Sequence, residues 1–273
     1  MQDFFIWLSD LHLDAAASDE RELFFCKLEA HPAQRIVIGG DTADGLLSFE
    51  YLKAIEKKTG KEIFFILGNH DCYGTSIAVQ KNRAKLLEQE HPRLCYLTAH
   101  DPIPLSDEVC LLGHDGWSDG REGAFSYSVC LRDYFEIEEL KARTPAELQK
   151  TLADLGDESA YETRKRLEDA FSKYKHVVFV THSPPFRNTC LYQNQISNDM
   201  WAPHFVNKAM GQMLQDVCTK HPQNTLVVLA GHSHHFADVD ILENLRVVVA
   251  PSDLGMPLIQ IVSFTPSFTI SQF

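Results

Sequence analysis

The chain has 273 residues, of which 44% are hydrophobic and 10% aromatic, and its formal net charge is −13. That apolar content is ample for a core and argues against an intrinsically disordered chain. The negative charge argues against an extended nucleic-acid partner, whose phosphates need a basic surface, and no apolar stretch is long enough for a membrane span.

The chain begins with an apolar run at 3–9 that has no basic segment before it and ends at Ser9-Asp10. This pattern predicts a first β-strand rather than a signal peptide. The seven cysteines are scattered and include no C-x-x-C pair, which is typical of reduced core residues. These features predict a cytoplasmic location.

The first half of the chain alternates between strand-like apolar runs and helical periodicity. The predicted elements are strand 3–9, helix 18–30, strand 35–39, helix 49–58, strand 62–67 and helix 75–90. This β-α-β-α-β-α order predicts parallel strands covered by helices.

The middle of the chain departs from this alternation. Strands are predicted at 94–98 and 108–113, followed by a Gly-rich stretch and then by charged sequence of helical period at 134–174. Thr144 and Glu147 form a capping-box pattern that predicts a helix start. We interpret 115–175 as a helical insertion that packs on or near a site; two ordinary surface helices are the alternative.

Strand character returns in the last third of the chain. The predicted strands are 176–181, 225–230, 236–241, 246–250, 258–263 and 268–271. Because the late strands follow one another closely, we expect antiparallel sheet there. The whole pattern predicts an α/β protein, in which two sheets pack face to face with helices outside, as a single domain over residues 1–273.

Five polar clusters follow directly after predicted strands, where sites on α/β scaffolds are commonly built. They are Asp10-Leu11-His12, Gly40-Asp41-Thr42-Ala43-Asp44, Gly68-Asn69-His70-Asp71, Thr181-His182-Ser183 and Gly231-His232-Ser233-His234. Each cluster alone is as typical of a turn or a helix cap as of a site. All five in order, each after a strand, favour a shared site.

The residue types in these clusters indicate a metal centre. Carboxylate, amide oxygen and imidazole together suit Mn, Fe or Zn. The seven candidate ligands exceed the needs of one tetrahedral ion, whereas two ions that share a carboxylate would use them all. Asp41 lies in the middle of the set and follows Gly39-Gly40, so it is the natural bridging candidate. The candidate ligands are Asp10, His12, Asp41, Asn69, His182, His232 and His234.

The series resembles the calcineurin-like metallophosphoesterase family, whose pattern is Asp-x-His, Gly-Asp-x-x-Asp, Gly-Asn-His-Asp/Glu, a later His and Gly-His-x-His. Every element is present between residues 10 and 234. The resemblance implies a four-layer α/β/β/α sandwich, metallo-dependent phosphatase-like, with a dinuclear metal centre at the strand ends. One metal would be held by Asp10, His12, Asp41 and His234, and the other by Asp41, Asn69, His182 and His232.

The resemblance also implies roles for residues that do not bind metal. His70 would be the catalytic histidine, with Asp71 orienting its ring, and Asp44 would support the ligand loop. Ser183 stands where many diesterase-like members have a second histidine. The absence of Asp-Arg-Gly after Asp44 makes the chain unlike the Ser/Thr protein phosphatase branch.

The expected activity is hydrolysis of a small phosphate mono- or diester by a metal-activated water. Arg121 and Arg187 are candidate phosphate contacts, because arginine suits bidentate phosphate binding. Trp117 and Tyr73 are candidates to flank a leaving group. The alternative for all four is a surface or packing role. The alternative functions are a non-catalytic scaffold of the same fold and a nuclease or nucleotide diesterase.

Overall fold

The computed structural model describes residues 3–126, 128–264 and 268–273. The α-helices are α1 (Ser18–Ala30), α2 (Leu47–Thr59), α3 (Ile77–Glu90), α4 (Asp133–Glu136), α5 (Pro145–Lys173) and α6 (Lys208–Lys220). The strands of the first half are β1 (Phe4–Leu8), β2 (Arg35–Gly39), β3 (Glu62–Ile66), β4 (Leu94–Tyr96), β5 (Ile103–Pro104) and β6 (Val109–His114). The later strands are β7 (His176–Thr181), β8 (Leu191–Tyr192), β9 (Gln195–Ile196), β10 (Thr225–Ala230), β11 (Ala237–Leu242), β12 (Leu245–Val249), β13 (Gln260–Ser263) and β14 (Thr269–Gln272).

Twelve of these strands form two six-stranded sheets. Sheet A has the order β14-β13-β1-β2-β3-β4, and sheet B has the order β11-β12-β10-β7-β6-β5. The four strands β1 to β4 are parallel, as the alternating first half predicts. Strands β6, β7, β10 and β12 are also parallel to one another. Each sheet therefore has a parallel centre whose strands end at one edge.

Three buried clusters separate four layers. One lies between sheet A and the helices α1 to α3, and it includes Ile38, Leu52 and Phe65. A second lies between the two sheets and includes Trp7, Val180 and Leu229. The third, which includes Leu167 and Leu214, packs α5 and α6 on sheet B. This arrangement confirms the predicted α/β/β/α sandwich.

The expectation of an antiparallel C-terminal sheet is only partly correct. β11 and β12 form an antiparallel hairpin, but β12 lies beside β10 in parallel. The last two strands leave this sheet altogether: β13 pairs antiparallel with β1, and β14 with β13, at the edge of sheet A. Short connections predict hairpins well, yet they do not show which sheet a hairpin joins.

The predicted insertion at 115–175 divides into two parts, with residue 127 outside the described residues. The C-terminal part of α5 buries Leu167, Ala170 and Phe171 against sheet B, so it is a helix of the outer layer. The earlier part contributes Trp117, Ile137 and Leu140 to a small cluster beside the third loop of the site. That the whole chain forms one domain stays a prediction. No helix among the described residues has the length and apolarity needed to cross a membrane.

Candidate functional site

The candidate ligands lie in loops that follow the parallel strands of both sheets. Asp10 and His12 follow β1, Asp41 follows β2, and Asn69 follows β3 in sheet A. The ligands from sheet B are His182 after β7, and His232 and His234 after β10. Backbone hydrogen bonds fasten the loops together, from Asp10 N to Gly40 O at 3.1 Å and from Gly231 N to His182 O at 2.9 Å. The structure thus brings all seven residues to one edge of the sandwich.

One group of candidate ligands consists of Asp10, His12 and His234. One ligand atom of each lies within 4.8 Å of the others. The Nε2 atoms of His12 and His234 are 3.1 Å apart, and His234 Nε2 is 3.4 Å from Asp10 Oδ1. Two imidazole nitrogens and a carboxylate oxygen that face one another form a donor set suited to a borderline divalent cation.

A second group consists of Asp41, His182 and His232, with the side chain of Asn69 beside it. His182 Nδ1 lies 2.9 Å from Gly39 O, so in the neutral ring Nδ1 donates and Nε2 carries the lone pair. That lone pair faces Asn69 Oδ1 at 3.0 Å and Asp41 Oδ2 at 3.3 Å. Acceptors that converge in this way fit a bound cation, and the chemistry of the residues agrees with a metal site.

Asp41 connects the two groups. Its carboxylate also lies within 4.8 Å of ligand atoms of His12 and His70. Asp41 Oδ1 accepts a hydrogen bond from His70 N at 2.8 Å, whereas Oδ2 faces His182. The central position of Asp41 agrees with the bridging role that the sequence suggested.

Backbone strain is concentrated at the candidate ligands. Five of them adopt left-handed conformations, which are unfavourable for residues other than glycine. Their φ values are 51° at Asp10, 41° at His12, 52° at Asp41, 65° at His232 and 59° at His234. Such strain persists where the surrounding structure enforces it, and it often accompanies function. It is therefore an independent indication that these loops form a site.

Two glycines allow the loops to approach so closely. A Cβ atom on Gly68 would lie 2.2 Å from Asp41 Oδ1, and one on Gly231 would lie 2.1 Å from Asp10 Oδ2. Both distances are too short for any side chain to be tolerated without movement of a candidate ligand. The glycines of Gly-Asn-His-Asp and Gly-His-Ser-His are thus required by close packing around the carboxylates.

The electrostatics of the cluster favour positive charge within it. Burial opposes ionisation of Asp10, but its hydrogen bond with His234 and the nearby His182 lower the Asp10 pKa to about 2. Burial likewise opposes protonation of His182, but Asp41 and Asp10 raise the His182 pKa to about 10. Burial and the neighbouring His182 lower the pKa of His232 to about 3. The buried carboxylates therefore attract either a proton on His182 or a metal cation that replaces it.

The expectation that Asp71 orients His70 is wrong in geometry. The Asp71 carboxylate is buried and accepts backbone N–H groups from Gly68 at 2.7 Å, Asp41 at 2.8 Å and Thr42 at 3.1 Å. His70 and Asp71 lie in a 3-10 helix, His70–Cys72, where neighbouring side chains point about 120° apart. Asp71 thus ties the second and third ligand loops together.

The residue that contacts the His70 ring is Asp44. Its Oδ1 lies 2.8 Å from His70 Nδ1, and its Oδ2 is 2.8 Å from a guanidinium nitrogen of Arg132. The Tyr73 ring also packs against the His70 ring, with ring centroids 4.3 Å apart. Burial lowers the affinity of His70 for a proton, but Asp41 and Asp44 outweigh it, so the His70 pKa is raised.

Asp133 orients Asn69. No sequence motif indicated that Asp133 belongs to the site. Asp133 Oδ1 accepts hydrogen bonds from Asn69 Nδ2 at 2.9 Å and from the Tyr73 hydroxyl at 2.7 Å. Because the amide nitrogen is held there, Asn69 Oδ1 is directed towards His182. Asp133 lies at the start of α4, far along the chain, within the predicted insertion.

The four predicted substrate contacts have different surroundings. Arg121 makes a bidentate ion pair with Asp157 on α5, both N···O distances being 2.6 Å. Arg187 donates to Ser197 O at 2.8 Å and pairs with Asp199 at 2.5 Å. Trp117 is buried in a packing cluster. The contacts of Arg121, Arg187 and Trp117 are those of structural residues. Tyr73 differs, because it contacts the His70 ring.

A family model described as calcineurin-like phosphoesterase matches residues 5–236, which is most of the chain and includes all five clusters. The chain belongs to the calcineurin-like phosphoesterase family. This finding confirms the resemblance on which the residue roles were based. No curated protein matches the chain significantly.

Solved structures share the fold of this phosphoesterase family member at low sequence identity. The phosphopantetheinyl hydrolase of Mycobacterium tuberculosis has a TM-score of 0.66 and 16% identity, over 92% of this chain and 89% of that one. A dimetal phosphatase from Danio rerio has a TM-score of 0.63 and 12% identity, over 98% and 95%. A 5′-nucleotidase from Candida albicans has a TM-score of 0.53 and 14% identity, over 99% of this chain and 52% of that one.

Proposed function

We propose that this chain is a hydrolase that cleaves a small phosphate mono- or diester at a dinuclear metal centre. The observation that carries the proposal is the convergence of seven candidate ligand side chains beside His70, a histidine that Asp44 holds. A protein that kept the fold only as a scaffold would have no need of strained ligand loops.

Two metal ions, of Mn, Fe or Zn, are the cofactors that this donor set fits. Asp10, His12, Asp41 and His234 would hold one ion, and Asp41, Asn69, His182 and His232 the other. When bound, such ions neutralise phosphate oxygens and lower the pKa of a bound water molecule towards neutral pH, so that it can act as hydroxide. The proposed location of the protein is cytoplasmic, as expected from its scattered free cysteines.

His70 is the proposed general acid. With Nδ1 directed to Asp44, the proton on Nε2 can be given to the oxygen of the leaving group. The His70 ring lies 4.5 Å from that of His12, between centroids, so it adjoins the first ligand group. Asp44 and Tyr73 both contact the ring and so position it.

The proposal is tested with His70→Ala. Because His70 is not a proposed ligand, the variant should bind as much metal as the wild type while losing roughly 100-fold or more in turnover of an aryl phosphate ester. Metal content by elemental analysis and turnover are measured on the same preparation. Undiminished turnover would contradict the role of His70, and a wild-type chain that binds no metal after metal-supplemented growth would support the scaffold alternative.

A further inference from the structure

An open cavity of about 520 Å³ lies directly beside the candidate metal centre. Ser233, which stands between the ligands His232 and His234, is part of its lining. Phe205 is another lining residue, and its ring centroid is 4.8 Å from that of His232. The cavity therefore adjoins the second ligand group.

The walls of this cavity are aromatic and uncharged. Tyr192, Trp201 and Phe205 contribute rings, Ile196 is aliphatic, and no described lining residue carries a charge at neutral pH. Trp201 is 42% exposed, Tyr192 64% and Ile196 54%. In a chain with 38 acidic residues, an uncharged surface of this size beside an ionic centre indicates a binding surface for an uncharged group.

The segment that forms the cavity is held in place by specific contacts. Gln193 and Asn194 adopt left-handed conformations with φ of 49° and 62°, which close the β8–β9 hairpin tightly. Arg187 fixes the residues after the hairpin through Ser197 O and Asp199. The Asn198 side chain accepts from Trp201 N at 3.1 Å. The cavity is thus pre-formed, and Arg187 acts as its support.

A free polar group is also present in the wall next to the metal centre. The buried Ser233 Oγ has no hydrogen-bond partner among the described residues. A buried hydroxyl without a partner is unfavourable unless a ligand or water satisfies it.

We infer that this cavity binds the organic group of the phosphate ester and that this group is a flat, uncharged aromatic ring system. The inference rests on the proposed function, since it assigns the substrate class of the same site. A volume of about 520 Å³ accommodates a fused ring system, and aromatic walls favour stacking of flat rings over binding of alkyl chains.

The first test measures binding without catalysis. Fluorescence anisotropy of 2-naphthol is titrated with chelator-treated wild type, Trp201→Ala and Tyr192→Ala. Wild type should bind the probe, and either variant should weaken binding about tenfold, as the loss of one stacking partner implies. Tyr161→Ala, at an exposed tyrosine of α5 outside the cavity lining, is the matched control and should bind as wild type does. Absence of binding, or equal binding by Trp201→Ala, would overturn the inference.

The second test uses the metal-loaded enzyme with 2-naphthyl phosphate and butyl phosphate. Trp201→Ala should raise KM for the naphthyl ester about tenfold, leave kcat nearly unchanged, and leave KM for the butyl ester unchanged. An equal rise for both esters would contradict an aromatic subsite. Naphthol binding that depends on Trp201, in a chain that hydrolyses neither these monoesters nor their methyl diesters, would contradict the proposed function while supporting the ligand class of the cavity.

Discussion

Asp44 and Asp71 are the two acids close to His70, and the direction of each side chain decides what it contacts. Asp44 contacts the His70 ring, whereas Asp71 accepts three backbone N–H groups behind the ligand loops. Removing either carboxylate should impair the protein, but by different routes. Asp44 acts on the reaction through the ring that it positions, and Asp71 acts on the stability of the loops.

Asp44→Ala should lower kcat about 10- to 100-fold, because the His70 ring loses its orienting partner. The thermal midpoint should change little, since Asp44 is partly exposed. Asp44→Asn, which keeps an acceptor for Nδ1–H, should restore part of kcat. Turnover of an aryl phosphate ester and thermal unfolding are the measurements. A wild-type kcat in Asp44→Ala would contradict the positioning role.

Asp71→Asn should instead lower the free energy of unfolding by about 1–3 kcal/mol, because an amide has one acceptor oxygen where a carboxylate has two. Chemical denaturation measures the change, and Asp14→Asn, at an exposed acid, is the control. A variant with full stability and strongly reduced kcat would show that Asp71 acts on His70 after all.

At the same scale, the sequence indicated the candidate ligands but not the residues that support them. Asp10, His12, Asp41 and the later histidines occur in local motifs after strands, and the five motifs in order made them candidates. Asp133 and Arg132 reach the site through tertiary packing and have no such motif. A carboxylate beside His70 was expected, but the turn geometry that selects Asp44 over Asp71 is not visible in spacing.

The loop after β6 connects the two sheets close to the third ligand loop. Asp115 Oδ1 accepts hydrogen bonds from Leu67 N, directly after β3, and from the Thr98 hydroxyl, both at 2.8 Å. Its Oδ2 accepts from the Tyr96 hydroxyl. Because Leu67 directly precedes Gly68 and Asn69, Asp115 fixes the start of the third ligand loop.

Asp115→Ala should destabilise the protein by about 1–3 kcal/mol for each buried donor left without an acceptor. It should also weaken metal binding, because the Asn69 loop loses an anchor. Denaturant unfolding and metal titration measure the two effects. Glu108→Ala, at the exposed residue just before β6, is the control and should change neither. An unchanged metal affinity in a destabilised Asp115→Ala would contradict the coupling between this loop and the site.

The sequence predicted most elements but not the whole sheet order. Apolar alternation with helices identified the parallel strands of sheet A, and the capping box at Thr144 gave the start of α5 correctly. Assignment of β13 and β14 to sheet A depends on which edge is available to them in the folded chain. Local sequence does not contain that information.

For the whole molecule, bound cations should contribute to stability. The net charge is −13, and Asp10 and Asp41 are almost completely buried, at 2% and 1% exposed. Ions that bind only the folded chain stabilise it by mass action. Treatment with a chelator should therefore lower the thermal midpoint, and Mn²⁺ should restore it. An identical midpoint with and without chelator would contradict the metal centre.

In the proposed reaction, hydrolysis requires two metal ions held by these loops. The direct measurement is turnover of an aryl phosphate ester by chelator-stripped protein during titration with Mn²⁺. We predict no turnover without metal and a rise that saturates at about two equivalents per chain. Turnover that persists after complete metal removal, or none at any Mn²⁺, Fe²⁺ or Zn²⁺ concentration, would contradict the account.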